Sequence, residues 1–308
     1  MIIKQYHDSD YSEINKFVIS TSPERFINTP KFLSYHGDRF NDFSLVIRNK
    51  KSQVIGFFPA AVLNDEIISH PGLTFGGLIT SSNKAEEIFQ IYDEIINFYK
   101  SYKKLSIKLP PPIYLKNQFL EEAYFRYRNF KSSSFFLTSI VELKNSISIS
   151  KGKKDNIRKA KKLNSIIVDF SAQFKTIFPG LEESLASIHN ATPTHSLKDL
   201  ELLNQLFPEN IYSVAALSGS EVLAGAVIFE SGSIIHTQYL FNSPAGRNVG
   251  ALDFLILELI SNKRSKEILS FGSSSEDGGE KINIGLLKFK EGFGSKIQLG
   301  KTFEIELS

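Results

Sequence analysis

The sequence predicts an α/β (α+β) protein of two tandem domains, each a mixed sheet flanked by helices. Three observations carry this. The chain has 308 residues, and chains of that length commonly divide into two domains. Its composition, 42% hydrophobic and 22% charged, supports a substantial core and excludes a disordered majority. The order strand–strand–strand–helix–strand–helix–strand reads twice along the chain. That repetition places an N-terminal domain over 1–145 and a C-terminal domain over 146–308.

In the first half a helix is predicted over 11–21. Two strand-like runs, 43–48 and 54–63, are joined by Asn49-Lys50-Lys51-Ser52. A strand over 66–69 leads through Pro71-Gly72 to another over 74–79. Ile88, Ile91, Ile95, Ile96 and Tyr99 recur at helical spacing and predict an amphipathic helix over 84–102. The strand 104–109 is stopped by Pro110-Pro111-Pro112. A helix over 118–127 and a strand over 135–143 complete the half. The second half repeats the order. Helices are predicted over 155–164, 181–189 and 197–206. Strands follow at 211–217 and 222–229, joined by the hairpin turn Ser218-Gly219-Ser220-Glu221, and at 233–241. A helix over 251–262, a strand over 267–271, a helix over 283–291 and a closing strand over 302–307 end the chain.

Composition excludes several chemistries. A net charge of +3 falls short of the dense basic face that nucleic acid requires. With no cysteine there is neither disulfide nor thiolate nucleophile. The six histidines are scattered, with no zinc-type spacing, so no metal is expected. There is no Gly-x-Ser-x-Gly elbow and no Gly-x-Gly-x-x-Gly loop. No apolar run approaches the length of a membrane span, and the N-terminus carries no signal-peptide core. A cytoplasmic protein acting on small molecules is expected, without nucleic acid or membrane span, and compatible with a homo-oligomer. Direct transfer between a preactivated donor and an acceptor needs none of the missing groups.

Five stretches are candidates for such a site. In "YLFNSPAGRNVGALDFLILELI" (239–260) a strand gives way to a glycine-containing loop and a helix. That helix start suits a phosphate, with Gly246 and Gly250 for close approach and Arg247 for charge, or is an ordinary strand-to-helix turn. In "IIHTQYLF" (234–241) alternation puts His236, Gln238 and Leu240 on one face and Ile235, Thr237, Tyr239 and Phe241 on the other. The polar pair either lines a cleft or covers a half-exposed strand. In "HNATPTHSLKDLELL" (189–203) Ser196 and Asp199 make a helix cap, and His195 beside it is a general base or a packing residue. The basic run "KGKKDNIRKAKK" (151–162) reads as a solvated face or a phosphate contact. "SHPGLTFGGL" (69–78), with His70, marks tight turns.

The fragment "FGSSSEDGGEKINIGLLKFKEGFG" (271–294) resembles the C-terminal signature of the FemAB-like, tandem-domain branch of the GNAT acyltransferase superfamily. That branch ends with a strand, a Phe-Gly-Ser-type turn, an Asn-x-Gly-Leu helix start and a Lys-Glu-Gly-Phe-Gly close. "KKDNIRKAKK", "ATPTHSLKDLELLNQLFPENI", "QYL", "GALDFLILELI" and "SHPGLTFGGL" fit the same branch, so the likeness runs from about residue 69 to 295 in the family's order. It implies two GNAT-like domains, with the acyl-CoA and acceptor sites in the C-terminal one. The nearest likeness is to bacterial N-acyltransferases of nucleotide-linked amino sugars. These serve the O-antigen of lipopolysaccharide and the capsule. The implied reaction moves an acetyl or 3-hydroxybutyryl group from acyl-CoA, as co-substrate, to a dTDP-linked 3-amino-3,6-dideoxyhexose.

The family's pyrophosphate loop, [Arg/Gln]-x-x-Gly-x-[Gly/Ala], is matched by Arg247, Asn248, Val249, Gly250 and Ala251, while its sixth position here is Leu252. The Tyr that many GNAT enzymes carry on the last helix is replaced by Lys288 and Phe289. His195, His236 and Glu276 are the candidate bases, in that order. His70, Gln238, Tyr239, Ser273, Ser274 and Asn283 are the candidate acceptor contacts. The rivals are an aminoacyl-tRNA-dependent peptidoglycan transferase of the same branch, which would favour a strongly basic surface and often an inserted helical arm, neither of which the sequence displays, and a non-catalytic binding module.

Overall fold

A computed structural model of the chain describes residues 1–116, 118–189, 192–262 and 265–307, with the backbone alone for Gln118, Ile188 and His189. The chain forms two compact units. The first comprises 1–137, 275–282 and 298–308; the second comprises 138–274 and 283–297. These are not the two contiguous halves expected around residue 145. The second half of the sequence returns two pieces to the first unit.

In the first unit, β1 (Ile2–Gln5), α1 (Tyr11–Thr21), β2 (Leu45–Arg48) and β3 (Val54–Phe58) are followed by β4 (Ala61–Leu63), β5 (Glu66–Ile68) and β6 (Ile79–Thr80). Then come α2 (Ala85–Phe98), β7 (Lys104–Leu109), α3 (Gln118–Tyr127) and β8 (Lys131–Glu142), whose last residues enter the second unit. β1, β2, β3 and β6 form one antiparallel sheet. β7, β5 and β4 are successive neighbours in another, in which β5 and β7 run parallel. Ile88, Ile91, Tyr92 and Ile95 of α2 recur every three or four residues and are buried, which fixes the face that the helix lays on the core. Of the expected strand over 74–79 only Ile79 is strand; 74–78 is a loop closed on a buried guanidinium. Arg25 donates to the carbonyls of Leu78 at 2.7 Å, Gly76 at 2.6 Å and Gly77 at 3.0 Å. Asn28 donates to Phe75 O at 3.0 Å. These carbonyls converge on one interior cation, as successive carbonyls of a flat strand, which alternate in direction, would not.

The second unit adds α4 (Lys151–Lys162), β9 (Ile166–Ala172), α5 (Phe174–His189), α6 (Leu197–Leu206), β10 (Ile211–Ser218), β11 (Glu221–Ser231), β12 (Ile234–Asn242), α7 (Pro244–Val249), α8 (Ala251–Ser261), β13 (Ile268–Ser273) and α9 (Ile284–Glu291). The last strand, β14 (Lys296–Glu306), pairs antiparallel with β7 in the first unit. The strand order of the second unit is β9-β10-β11-β12-β13-β8. All neighbours are antiparallel except β12 and β13. β11 is buried along most of its length, as a central strand must be, and α8 packs Leu252, Leu255, Ile256 and Leu259 into that core. The strand β9 was not expected, and the helix expected over 181–189 starts earlier. β9 carries the β-branched run Ile166-Ile167-Val168. α5 begins at Phe174 and continues through Pro179, because Phe174, Ile177, Phe178 and Leu181 bury one face across the proline.

Candidate active site

The site is built where β12 and β13 part. These strands pair in parallel over three rungs only, Ile234 with Ile268, Ile235 with Leu269 and His236 with Ser270. β12 runs on to Asn242 and β13 to Ser273 without further pairing between them. At the last rung His236 Nδ1 and Ser270 Oγ lie 3.1 Å apart. Gly272, at φ +67°, then turns β13 aside. A Cβ there would stand 3.2 Å from His236 Cε1, so the glycine keeps the imidazole's place clear.

Lys290 completes this corner. It comes from α9, which Asn283 caps by accepting from Leu286 N at 2.8 Å. Its side chain is 1% exposed, and its ammonium donates to Gly272 O at 3.0 Å and Ser273 O at 2.7 Å. Burial pushes its pKa down to about 7. His236 is pushed down to about 4, by burial first and by the Lys290 charge second, so its imidazole is neutral at physiological pH.

The alternation expected along β12 fails at one residue. Thr237 pairs with Ile228 and Tyr239 with Val227, so Gln238 is a bulge outside the ladder. The bulge lets Gln238 hydrogen-bond both His236 and Tyr239, which simple alternation had put on opposite faces. The Tyr239 hydroxyl lies 2.8 Å from His195 Nδ1 and accepts from His195 N at 3.2 Å. His195 is 6% exposed and packs edge-on to Phe229, and burial raises the Tyr239 phenol. The Ser196–Asp199 capping box is present beside it. Asn190 and Ala191 of the same stretch lie outside the described residues.

The structure therefore brings together His195, Tyr239, Gln238 and His236, with Ser273, Ser274 and Asn283 on the following loop and helix start. Ser273 is exposed, whereas Ser274 is 1% exposed and its Oγ has no partner among the described residues. Glu276 belongs to the first unit, exposed beside the turn Asp277–Gly279. His70 also belongs to the first unit. It is 4% exposed, stacked on His36 and edged by Phe40. Burial, followed by the neighbouring His36, lowers its pKa to about 3. Its ring is packed against the 34–40 segment of the same unit.

The expected phosphate loop has a different shape. Residues 244–249 are the short helix α7, capped by Ser243, not an open loop. Arg247 and Asn248 are exposed, and Arg247 donates to Asn242 O at 2.7 Å. Gly250 and Ala251 are buried against α4, where a Cβ on Gly250 would meet Asn156 O at 2.5 Å. The first turn of α8 already holds a carboxylate, Asp253, bound by Lys153 Nζ at 2.6 Å and Asn156 Nδ2 at 2.7 Å. An anion at that helix start would face Asp253 as well as the backbone amides.

No protein-family model matches the chain, and no curated protein does. Solved structures do. FemX superposes with a TM-score of 0.71 over 99% of this chain and 97% of its own, at 12% identity. The fold is FemAB-like, of the tandem GNAT type. L-PGS from Bacillus licheniformis gives a TM-score of 0.60 over 95% of this chain and 90% of its own, also at 12% identity. A tandem GNAT protein from the clavulanic acid biosynthesis pathway gives 0.56 over 100% and 98%, at 7% identity.

The residue of this corner that sequence reading missed is Lys290. On α9, Leu286, Leu287 and Phe289 are half-buried and Lys290 is the buried residue. A signal was present. Lys288 and Lys290 stand about 200° apart on a helix, so both cannot face water from one side.

Proposed function

We propose that the protein is an N-acyltransferase in which a neutral amine attacks an activated acyl carbonyl where β12 and β13 part. The observation that carries this is the corner itself: pairing that ends at His236 and Ser270, with a buried Lys290 on the carbonyls just beyond. Strands that separate leave backbone groups free for a donor and an acceptor laid side by side. Positioning of that kind is worth roughly 7–11 kcal/mol. The bulge at Gln238 puts a backbone amide beside the corner for the developing oxyanion, and Lys290 adds a positive charge at low dielectric. Neutral His236 is the preferred proton acceptor of the three carried from the sequence, with His195 held by Tyr239 as its partner in orienting Gln238.

The likeness in sequence favours acyl-CoA as donor and a dTDP-linked amino sugar as acceptor. A second reading, transfer from an aminoacyl-tRNA, is supported by α4. Lys151, Lys154, Arg158, Lys159, Lys161 and Lys162 are all exposed there while Ile157 and Ala160 are buried, which gathers the basic face that such a donor requires. Asp253 at the start of α8 also disfavours a pyrophosphate at that helix end. The deciding experiment runs both donors in parallel. Thiol release is followed from acetyl- and 3-hydroxybutyryl-CoA with a panel of nucleotide-linked amino sugars. Transfer of a labelled aminoacyl group from charged tRNA to amine acceptors is followed beside it. Consumption of one donor assigns the class; an amine-dependent reaction with neither sinks the proposal.

A further inference from the structure

α3 in the first unit is apolar on two sides. Its inner side is complete: Tyr124 and Phe125 are fully buried in the core, and Glu121 accepts from the Tyr92 hydroxyl at 2.5 Å. Its outer side is bare. Phe119 is 81% exposed and Tyr127 75% exposed, with exposed Ala123 midway between them. Spacing of four and eight residues puts the three in one stripe, roughly 12 Å long. A single exposed aromatic means little, but two bared to this extent along one helix face form a patch that the core does not use.

The charge flanking the stripe in sequence is mostly basic. Lys116, Arg126 and Lys131 are exposed near the two ends of the stripe in sequence, and Arg128 follows Tyr127. The acids nearby are occupied. Glu121 is buried, Lys301 holds Glu122 at 2.5 Å, and Arg128 engages Asp93 at 3.1 Å. Aromatic rings on a helical ridge with cations at its rim suit the headgroup layer of a bilayer. Rings partition into the interface there, while Lys and Arg stems extend to the phosphates. No helix among the described residues is long and apolar enough to cross a membrane, so any such contact is peripheral. We propose that α3 docks the protein on the surface of an anionic lipid bilayer, with Phe119 and Tyr127 in the headgroup plane and Arg126 and its neighbours on lipid phosphates.

The chain contains no tryptophan, so Phe119→Trp introduces a single indole without background. Its melting temperature should match the wild type, because the ring it replaces is in solvent. Fluorescence is read with vesicles of phosphatidylglycerol and phosphatidylcholine, with vesicles of phosphatidylcholine alone, and without lipid across a range of protein concentrations. The proposal expects a blue shift on the anionic vesicles that salt weakens. Arg126→Glu in the same background should lower partitioning by at least about fivefold, and Tyr127→Ser should lower it as well. An absent shift on anionic vesicles overturns the proposal. So does an equal shift on neutral vesicles, or a shift without lipid that grows with protein concentration, which would make the stripe a contact between copies of this chain.

Discussion

Two buried ionisable side chains set the behaviour of individual residues, and their signs are opposite. Lys290 has its pKa lowered from 10.5 to about 7, so the folded chain binds that proton more weakly than the unfolded one. Its contribution to stability therefore grows as pH rises from about 7 toward 10.5 and is lost as pH falls through 7. Lys290→Met removes a cation that burial disfavours. The variant should melt at the wild-type temperature or above at pH 7, lose the stability gain between pH 7 and 10, and fall about 100- to 1,000-fold in kcat. Thermal melts across pH and steady-state rates check this; a folded variant with unchanged kcat removes Lys290 from the chemistry. Glu121 is the reverse case. Burial raises it from 4.5 to about 7, against the pull of the Tyr92 hydrogen bond and Arg25. The folded chain binds this proton more tightly, so the stability it lends is full below pH 4.5 and is lost as pH rises through 7. Glu121→Gln keeps an acceptor for Tyr92 and should be more stable than the wild type above pH 7, by up to about 3 kcal/mol, with the difference fading toward pH 4.5. Denaturant titrations at pH 5 and pH 8 measure it. Glu121 was not legible in sequence, and for Lys290 helical spacing showed only that Lys288 and Lys290 cannot share one face; composition and periodicity place Lys and Glu outside by default, and the packing of neighbours not adjacent in sequence puts these two inside.

Elements were far more legible where one local signal decides them. α3, α6 and β7 have the bounds the sequence predicts. Ser196 and Asp199 write a cap for α6, and three prolines end β7. The features that shape the site have no such signal. The bulge at Gln238 depends on the register with β11, and α7 stands where glycine and asparagine suggested a loop. Burial of Gly250 depends on α4 from nearly a hundred residues earlier. The basic run on α4 was legible as charge but not as placement. Its Lys153 faces inward to Asp253 and lies 3.7 Å from the centre of the Phe289 ring, while the other cations face out. Lys154→Glu/Lys159→Glu/Lys162→Glu changes only exposed positions and should leave the melting temperature unchanged. With an aminoacyl-tRNA donor, KM should rise at least tenfold and its salt dependence should flatten. With an acyl-CoA donor, kcat/KM should change by less than about threefold. Rates at two salt concentrations separate the cases.

At the scale of the whole molecule, the repeated element order gave two α/β units but not their composition. Order is a local property of the chain, whereas membership of a unit is decided by pairing across long separations. β14 shows this. Lys301 pairs with Leu109 and Glu306 with Lys104, so the last strand of the sequence closes the first unit. Phe303 sits 5% exposed in that core, 5.0 Å from the ring of Phe125. Removing residues 298–308 would leave β7 with a bare edge and open a cavity beneath α3, a loss of several kcal/mol by the usual cost of deleting a buried aromatic. The second unit keeps its six strands and the core of α8 without that segment. Hydrogen exchange on the full and shortened chains should therefore show protection lost in β7, α2 and α3 and retained in β10, β11 and β12. Equal loss in both sets would mean that the two units unfold as one cooperative block and that the division drawn from contacts has no thermodynamic counterpart.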